Sequence, residues 1–150
     1  MIPIVLNVND VDYEIMIKPG EMLLETLRKI GFTSVKKGCD TGSCGVCSIL
    51  LNGKVIPSCS YFTGKVQNKK IITIDGVEEK AREIGEFLLA EGVDQCGFCS
   101  PGLIMSIIAM ENELNEFSEY DIKHYLVGNL CRCTGYEGQI RAIKKYLEVS

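Results

Sequence analysis

Eight cysteines divide this chain into two regions, and few folds can satisfy them. Cys39, Cys44 and Cys47 crowd into one glycine-rich stretch, with Cys59 following after eleven residues. Cys96 and Cys99 form a second, tighter pair, and Cys131 and Cys133 come much later. Four thiolates drawn together will hold a metal, so each region must fold around its own set. The opening apolar run Met1–Leu6 is followed at once by Asn7 and Asp10, too short for the core of a secretory signal. Eight cysteines in that setting point to a reducing compartment, here expected to be cytoplasmic, and to metal ligation rather than disulfides.

The 150 residues allow one domain or two small ones, and 46% hydrophobic with 24% charged residues is ordinary for a chain that builds a core. Two halves of about 75 residues each bury proportionally little surface, and a four-thiolate site would staple each of them. The formal charge is −4. No basic stripe offsets it, which argues against a nucleic-acid partner. Lys36–Lys37 and Lys69–Lys70 are isolated pairs, read as solvated surface. The longest near-apolar run, Gly102–Met110, is far below spanning length, so no membrane insertion is expected.

Residues 3–8 and 11–18 are rich in Ile and Val around a turn at Asn9-Asp10, which predicts a β-hairpin. Leu23, Leu24, Leu27 and Ile30 share one helical face over residues 21–30, with Gly31 placed to end that helix. The stretch 36–47 is no regular element; its glycines let the backbone curl and turn N–H groups inward. Ser48–Leu51 reads as a strand, Asn52-Gly53 as a tight turn and 71–74 as another strand. After Asp75-Gly76 helical periods take over. Ala81, Ile84, Phe87 and Leu88 mark one helix, and Leu103, Ile104, Ile107 and Ile108 the buried side of the next. Ser100 is read as the N-cap of that second helix, with Pro101 at N1. Ser118 with Asp121 forms a capping box for a helix to about Val127. Ile140, Ile143 and Leu147 define the last. The fold class is therefore α+β, with a boundary near residue 76 and no linker between the halves.

The x4–x2–distant spacing of the first group is that of plant-type 2Fe–2S ferredoxins. Cys59 also fits a small buried hydrophobe, yet it is the only thiol left in the first half to complete four. The second group fits a cluster or tetrahedral zinc. Its cysteines lie near expected helix starts, which favour negative charge. His124, the sole histidine, sits in a helix away from both groups and is read as a surface or packing residue. Tyr61, Tyr120, Tyr136 and Tyr146 are read as packing residues. No nucleophile–base arrangement or phosphate loop is present, so no substrate-transforming site is expected.

Three segments together carry a family resemblance. Gly38-Cys39-Asp40-Thr41-Gly42-Ser43-Cys44-Gly45-Val46-Cys47, Gln95-Cys96-Gly97-Phe98-Cys99-Ser100-Pro101-Gly102 and Gly128-Asn129-Leu130-Cys131-Arg132-Cys133-Thr134-Gly135-Tyr136 resemble, in this order, the two cluster regions of the molybdenum hydroxylases. The chain is most similar to the small iron–sulfur subunit of the xanthine dehydrogenase branch. Asp40-Thr41 and Ser43 depart from the acidic or glycine residues often found there, at positions that are not ligands.

The resemblance implies a plant-ferredoxin-like β-grasp domain at 1–75 and a four-helix 2Fe–2S domain at 76–150. It implies a first 2Fe–2S cluster on Cys39, Cys44, Cys47 and Cys59, and a second on Cys96, Cys99, Cys131 and Cys133. Gln95 and Cys133 match positions that approach a pterin. The implied partners are a large subunit holding molybdopterin, alone or as its cytosine dinucleotide, and a medium subunit holding FAD. Electrons would pass from molybdenum through the helical-domain cluster to the other, then to flavin. Hydroxylation of purines or other N-heteroaromatics is the leading expectation. A free-standing ferredoxin shuttle and a zinc-stapled interaction module are the competing readings.

Overall fold

A computed structural model describes residues 1–149. Strands β1 (Ile2–Val8) and β2 (Val11–Ile17) form the expected hairpin. Asn9 and Asp10 both take positive φ (53° and 64°), the left-handed pair that a two-residue hairpin turn requires. Helix α1 (Leu23–Lys29) follows, with Leu23, Leu24 and Leu27 buried. Strands β3 (Ser48–Leu51), β4 (Lys54–Pro57) and β5 (Lys70–Ile72) complete a five-stranded sheet in the order β2-β1-β5-β3-β4. β5 runs parallel to β1 and antiparallel to β3. The expected strand at 71–74 is shorter, because Ile74 opens a 3-10 turn instead.

Four helices follow, as expected: α2 (Glu78–Ala90), α3 (Ser100–Glu113), α4 (Glu119–Tyr125) and α5 (Glu137–Tyr146). The Ser118–Asp121 capping box is present in both directions. Two details differ from expectation. Cys99, not Ser100, caps α3, so Pro101 lies one residue further into the first turn, where its missing N–H is still harmless. And α3 is buried on every side from Gly102 to Met110 rather than along one face, because it is the central helix of its layer.

The sheet joins two cores. Successive side chains on a strand point to opposite faces. On β3, Ile49 and Leu51 therefore face α1, while Leu50 enters the core of α2, α3 and α5. Ile71 and Ile72 on β5 divide in the same way, as do Ile56 and Val55 on β4. The helical layer is thus seated directly on the sheet. Among the described residues no helix is long and apolar enough to cross a membrane.

Candidate metal centres

The first cysteine group is assembled by a loop and a hairpin. After α1, Arg28 Nη1 donates to the carbonyls of Thr33 and Val35, each at 2.9 Å, and holds the entry to the loop. Cys39 and Cys44 lie in the loop, and Cys47 is buried at the foot of β3. The register Ser48↔Pro57 then brings the far end of the β3–β4 hairpin back to the same place. Ser58 Oγ donates to the Cys47 carbonyl at 2.8 Å, which sets Cys59 beside Cys47. The eleven-residue gap is the length of that hairpin.

Backbone N–H groups dominate this site. The N–H of Cys44, then its thiol, then the N–H groups of Ser43 and Thr41 hold Cys39 down at about 6, well below an ordinary thiol. Burial raises Cys44, against the N–H groups of Val46 and Gly38. Burial pushes Cys47 up to about 11, against the N–H of Cys59.

The second group meets where two helices begin. Cys96 and Cys99 lie between α2 and the start of α3; Cys131 and Cys133 lie just before α5. Here side chains supply many of the donors. The Thr134 hydroxyl donates to Cys131 Sγ at 3.3 Å, and Gln139 Nε2 to Cys99 Sγ at 3.9 Å. Tyr136 is no mere packing residue: its hydroxyl accepts the Cys131 N–H at 3.0 Å, and its own N–H is held by Thr134 Oγ1 at 3.3 Å. That ring closes with Tyr136 at φ +73°, a left-handed conformation that a bulky residue adopts only when its surroundings impose it. Burial pushes Cys99 up to about 11. The N–H of Phe98, with Cys133, lowers Cys96, and Cys96 in turn raises Cys133. Burial acts to raise Cys131, but the Thr134 hydroxyl, the N–H groups of Cys133 and Thr134, and the Cys99 thiol together bring it down.

In both sites the sulfurs gather in pairs: Cys39 with Cys44, Cys47 with Cys59, Cys99 with Cys131, and Cys96 with Cys133 at 3.6 Å. Among the described residues no set of three or more His, Cys, Asp or Glu side chains is gathered for a single ion. Two pairs of thiols per site, ringed by N–H and O–H donors, would suit a 2Fe–2S cluster, which would supply a one-electron carrier there.

The two sites touch. Leu130 N–H donates to the Cys44 carbonyl at 2.9 Å, linking the residue before Cys131 to a cysteine of the first group. Asn129 Nδ2 reaches the Gly45 carbonyl at 3.4 Å. A Cβ on Gly102 in α3 would fall on the same Gly45 carbonyl, so the loop and the helix meet backbone to backbone. Lys36 is not simply solvated. Its ammonium lies 4.9 Å from the Phe98 ring centroid and 3.4 Å from the Gly97 carbonyl, clasping the second loop from the first. A cavity of about 310 Å3 between the sites is lined by Cys39, Cys44, Cys96, Cys99, Cys131 and Cys133, among others.

Gln95 is exposed beside Cys96, and Cys96 and Cys133 are the two exposed thiols of the chain. His124 is exposed and stacks on Tyr120, with ring centroids 5.7 Å apart, away from both sites. The sequence reading missed Thr134, Tyr136 and Gln139 as site residues. Gln139 did carry a signal: it is a polar residue one turn before Ile143 on an apolar helix face.

Comparison with known proteins agrees with this geometry. Residues 6–71 match the family model described as a 2Fe-2S iron-sulfur cluster binding domain, and residues 73–144 that of a [2Fe-2S] binding domain. The nicotinate dehydrogenase small FeS subunit of Eubacterium barkeri is 38% identical over 138 residues, covering 90% of this chain and 88% of that one. The xanthine dehydrogenase iron-sulfur-binding subunit of Escherichia coli O157:H7 is 39% identical over 140 residues, covering 91% and 88%. Among solved structures, quinoline 2-oxidoreductase from Pseudomonas putida 86 superposes with a TM-score of 0.86 at 31% identity, over 95% of this chain and 90% of that one. Aldehyde oxidoreductase from Desulfovibrio gigas gives 0.86 at 34% identity, over 97% of this chain but 17% of that one. The chain therefore belongs to the iron–sulfur subunits of the molybdenum hydroxylase (xanthine dehydrogenase) family, and carries the family's two 2Fe–2S-binding domains.

Proposed function

We propose that the protein is the electron conduit of a multi-subunit molybdenum hydroxylase. Its domains divide at residues 1–75 and 76–150. Cys39, Cys44, Cys47 and Cys59 hold the first cluster; Cys96, Cys99, Cys131 and Cys133 hold the second. Each cluster, when bound, supplies a one-electron carrier. The chain fixes the thiolates in pairs, aims N–H and O–H dipoles at them and limits water around the buried sulfurs. The observation that carries this reading is the bond from Leu130 N–H to the Cys44 carbonyl, which joins the two sites through a short backbone route.

The entry side is the second site. Cys96 and Cys133 are exposed there, with Gln95 beside them and the apolar Phe98, Leu130 and Tyr136 each at least 40% exposed nearby. Apolar surface gathered around a reactive edge favours burial against another chain. We assign that face to a large molybdopterin-binding subunit, with Gln95 and Cys133 nearest the pterin. Gln95 can both donate to and accept from a pterin edge. An FAD-binding subunit takes electrons from the first site, in the cytoplasm. The names of the two relatives, nicotinate and xanthine dehydrogenase, support an N-heteroaromatic substrate, purines first.

The test is anaerobic purification with native partners, followed by EPR on partial reduction. Two distinct 2Fe–2S signals, co-purifying pterin and hydroxylation of an N-heterocycle are expected. A single signal, or a chain that migrates alone with both clusters, would overturn the subunit reading.

A further inference from the structure

Gln139 is a buried polar side chain on a helix face otherwise lined with apolar residues. It is 6% exposed on α5, beside Ile140 and Ile143 on a helix face that packs into the helical core. An amide in such a place needs a hydrogen-bonding partner. Among the described residues its one hydrogen bond is from Nε2 to Cys99 Sγ, at 3.9 Å. A thiolate carries no proton, so the amide must present its NH2 end. A Cβ on the preceding Gly138 would strike Val93 Cγ1, so α5 approaches the segment after α2 closely at this point.

We infer that Gln139 is a positioning residue that raises the reduction potential of the second cluster through Cys99, and so biases electron sharing between the two sites. The inference rests on the proposed cluster assignment. Reduction adds one electron to a site already negative, and no bond forms or breaks. A donor aimed at a ligand sulfur stabilises the added charge more than the oxidised state. Cys99 is half-buried, which weakens the competing stabilisation by water. At the first site the side-chain groups beside sulfur are hydroxyls, Ser60 Oγ 3.5 Å from Cys59 Sγ and Ser58 next to Cys47. There the sulfur-directed N–H groups come from the backbone, which substitution cannot remove.

The experiment is a dithionite redox titration of the full chain in its native complex, read by EPR at each cluster. Gln139→Met keeps length and volume and deletes the donor. It should shift the one-electron equilibrium between the sites about tenfold toward the first, ~59 mV, through a fall at the second potential alone. Gln139→Glu should lower the second potential further, because a carboxylate repels the added electron. An unchanged second potential, or equal shifts at both sites, overturns the inference while leaving two intact signals and the cluster assignment standing. Loss of a signal in untreated wild-type material would instead strike the assignment itself. If the variants do not assemble the second cluster, Gln95→Ala protein labelled with 15N at its remaining glutamine side chains, Gln67 and Gln139, decides. A 15N coupling at the second-site signal supports the contact, and its absence overturns it.

Discussion

The two cysteine sites of this protein solve the same chemical problem with different parts. The first is largely a backbone construction: a glycine-rich loop points its N–H groups at sulfur, and a hairpin returns the fourth cysteine. The second adds side chains to its backbone N–H groups: Thr134, Tyr136 and Gln139 hold a turn between helices. Backbone donors are indifferent to most substitutions but depend on the loop's path. Side-chain donors can be altered singly. The first site should therefore fail as a whole or not at all, whereas the second should be adjustable in steps.

The largest expected effect comes from disturbing the surface where the sites meet. Gly102→Ala places a methyl group on the Gly45 carbonyl, in the middle of the first loop. Backbone on both sides cannot yield as a side chain would. A loss of about 3 kcal/mol is expected, in the range of overpacked cores, with both cluster signals reduced together. Gly85→Ala is the control. A Cβ there meets nothing within 4 Å, so the change should stabilise α2 by about 0.4–1 kcal/mol. Thermal melting and EPR on both variants separate the outcomes. Retention of one signal at full strength in Gly102→Ala would show the sites to be less closely joined.

Next is Cys44→Ser. It removes a thiolate from the first site but keeps the carbonyl that receives the Leu130 N–H. The first cluster signal should vanish and the second persist. Loss of both would place the assembly of the helical site downstream of the first, which Leu50, shared with the helical core, makes physically possible. Thr134→Val is milder. It deletes one hydroxyl from Cys131 Sγ and should lower the second potential by roughly 60 mV, a tenfold change for one electron, while the first stays fixed. A shift at both clusters would contradict the separation drawn above.

The same contrast explains what was readable in the sequence. Turns that need positive φ announce themselves: Asn9-Asp10 and Asn52-Gly53 ended their strands where expected. The capping box at Ser118 did so too. The cysteine spacing of the first site maps directly onto a hairpin, since Cys47 and Cys59 flank β3 and β4. The second site's donors come from contacts across a turn, and Tyr136 in isolation looks like any half-exposed aromatic. Lys36 and Phe98 are 62 positions apart and meet only through the docking of the two layers. Nor could periodicity show that α3 is enclosed on all sides. Its face toward β3 exists only once Leu50 turns away from α1.

The smallest expected effect lies at the surface behind the second site. Glu119 at the start of α4 meets Lys123 and, on α5, Lys144, each at 2.8 Å. The bonds from Lys123 and Lys144 hold its carboxyl down at about 2, from an ordinary 4.5. Because the folded value is the lower one, the pair's contribution is complete above pH 4.5 and is lost as pH falls through about 2. The group is fully exposed, so water and salt screen most of it. Glu119→Gln should therefore melt only slightly below wild type at pH 7, with the gap closing on acidification and with added salt. The second cluster potential should not move, since neither lysine touches a cysteine. A carboxyl 13C titration of Glu119 with a midpoint near 4.5 would show that α4 and α5 are not tied there. A shift in the second potential would show that the adjustable character of that site extends beyond the three side chains that contact it.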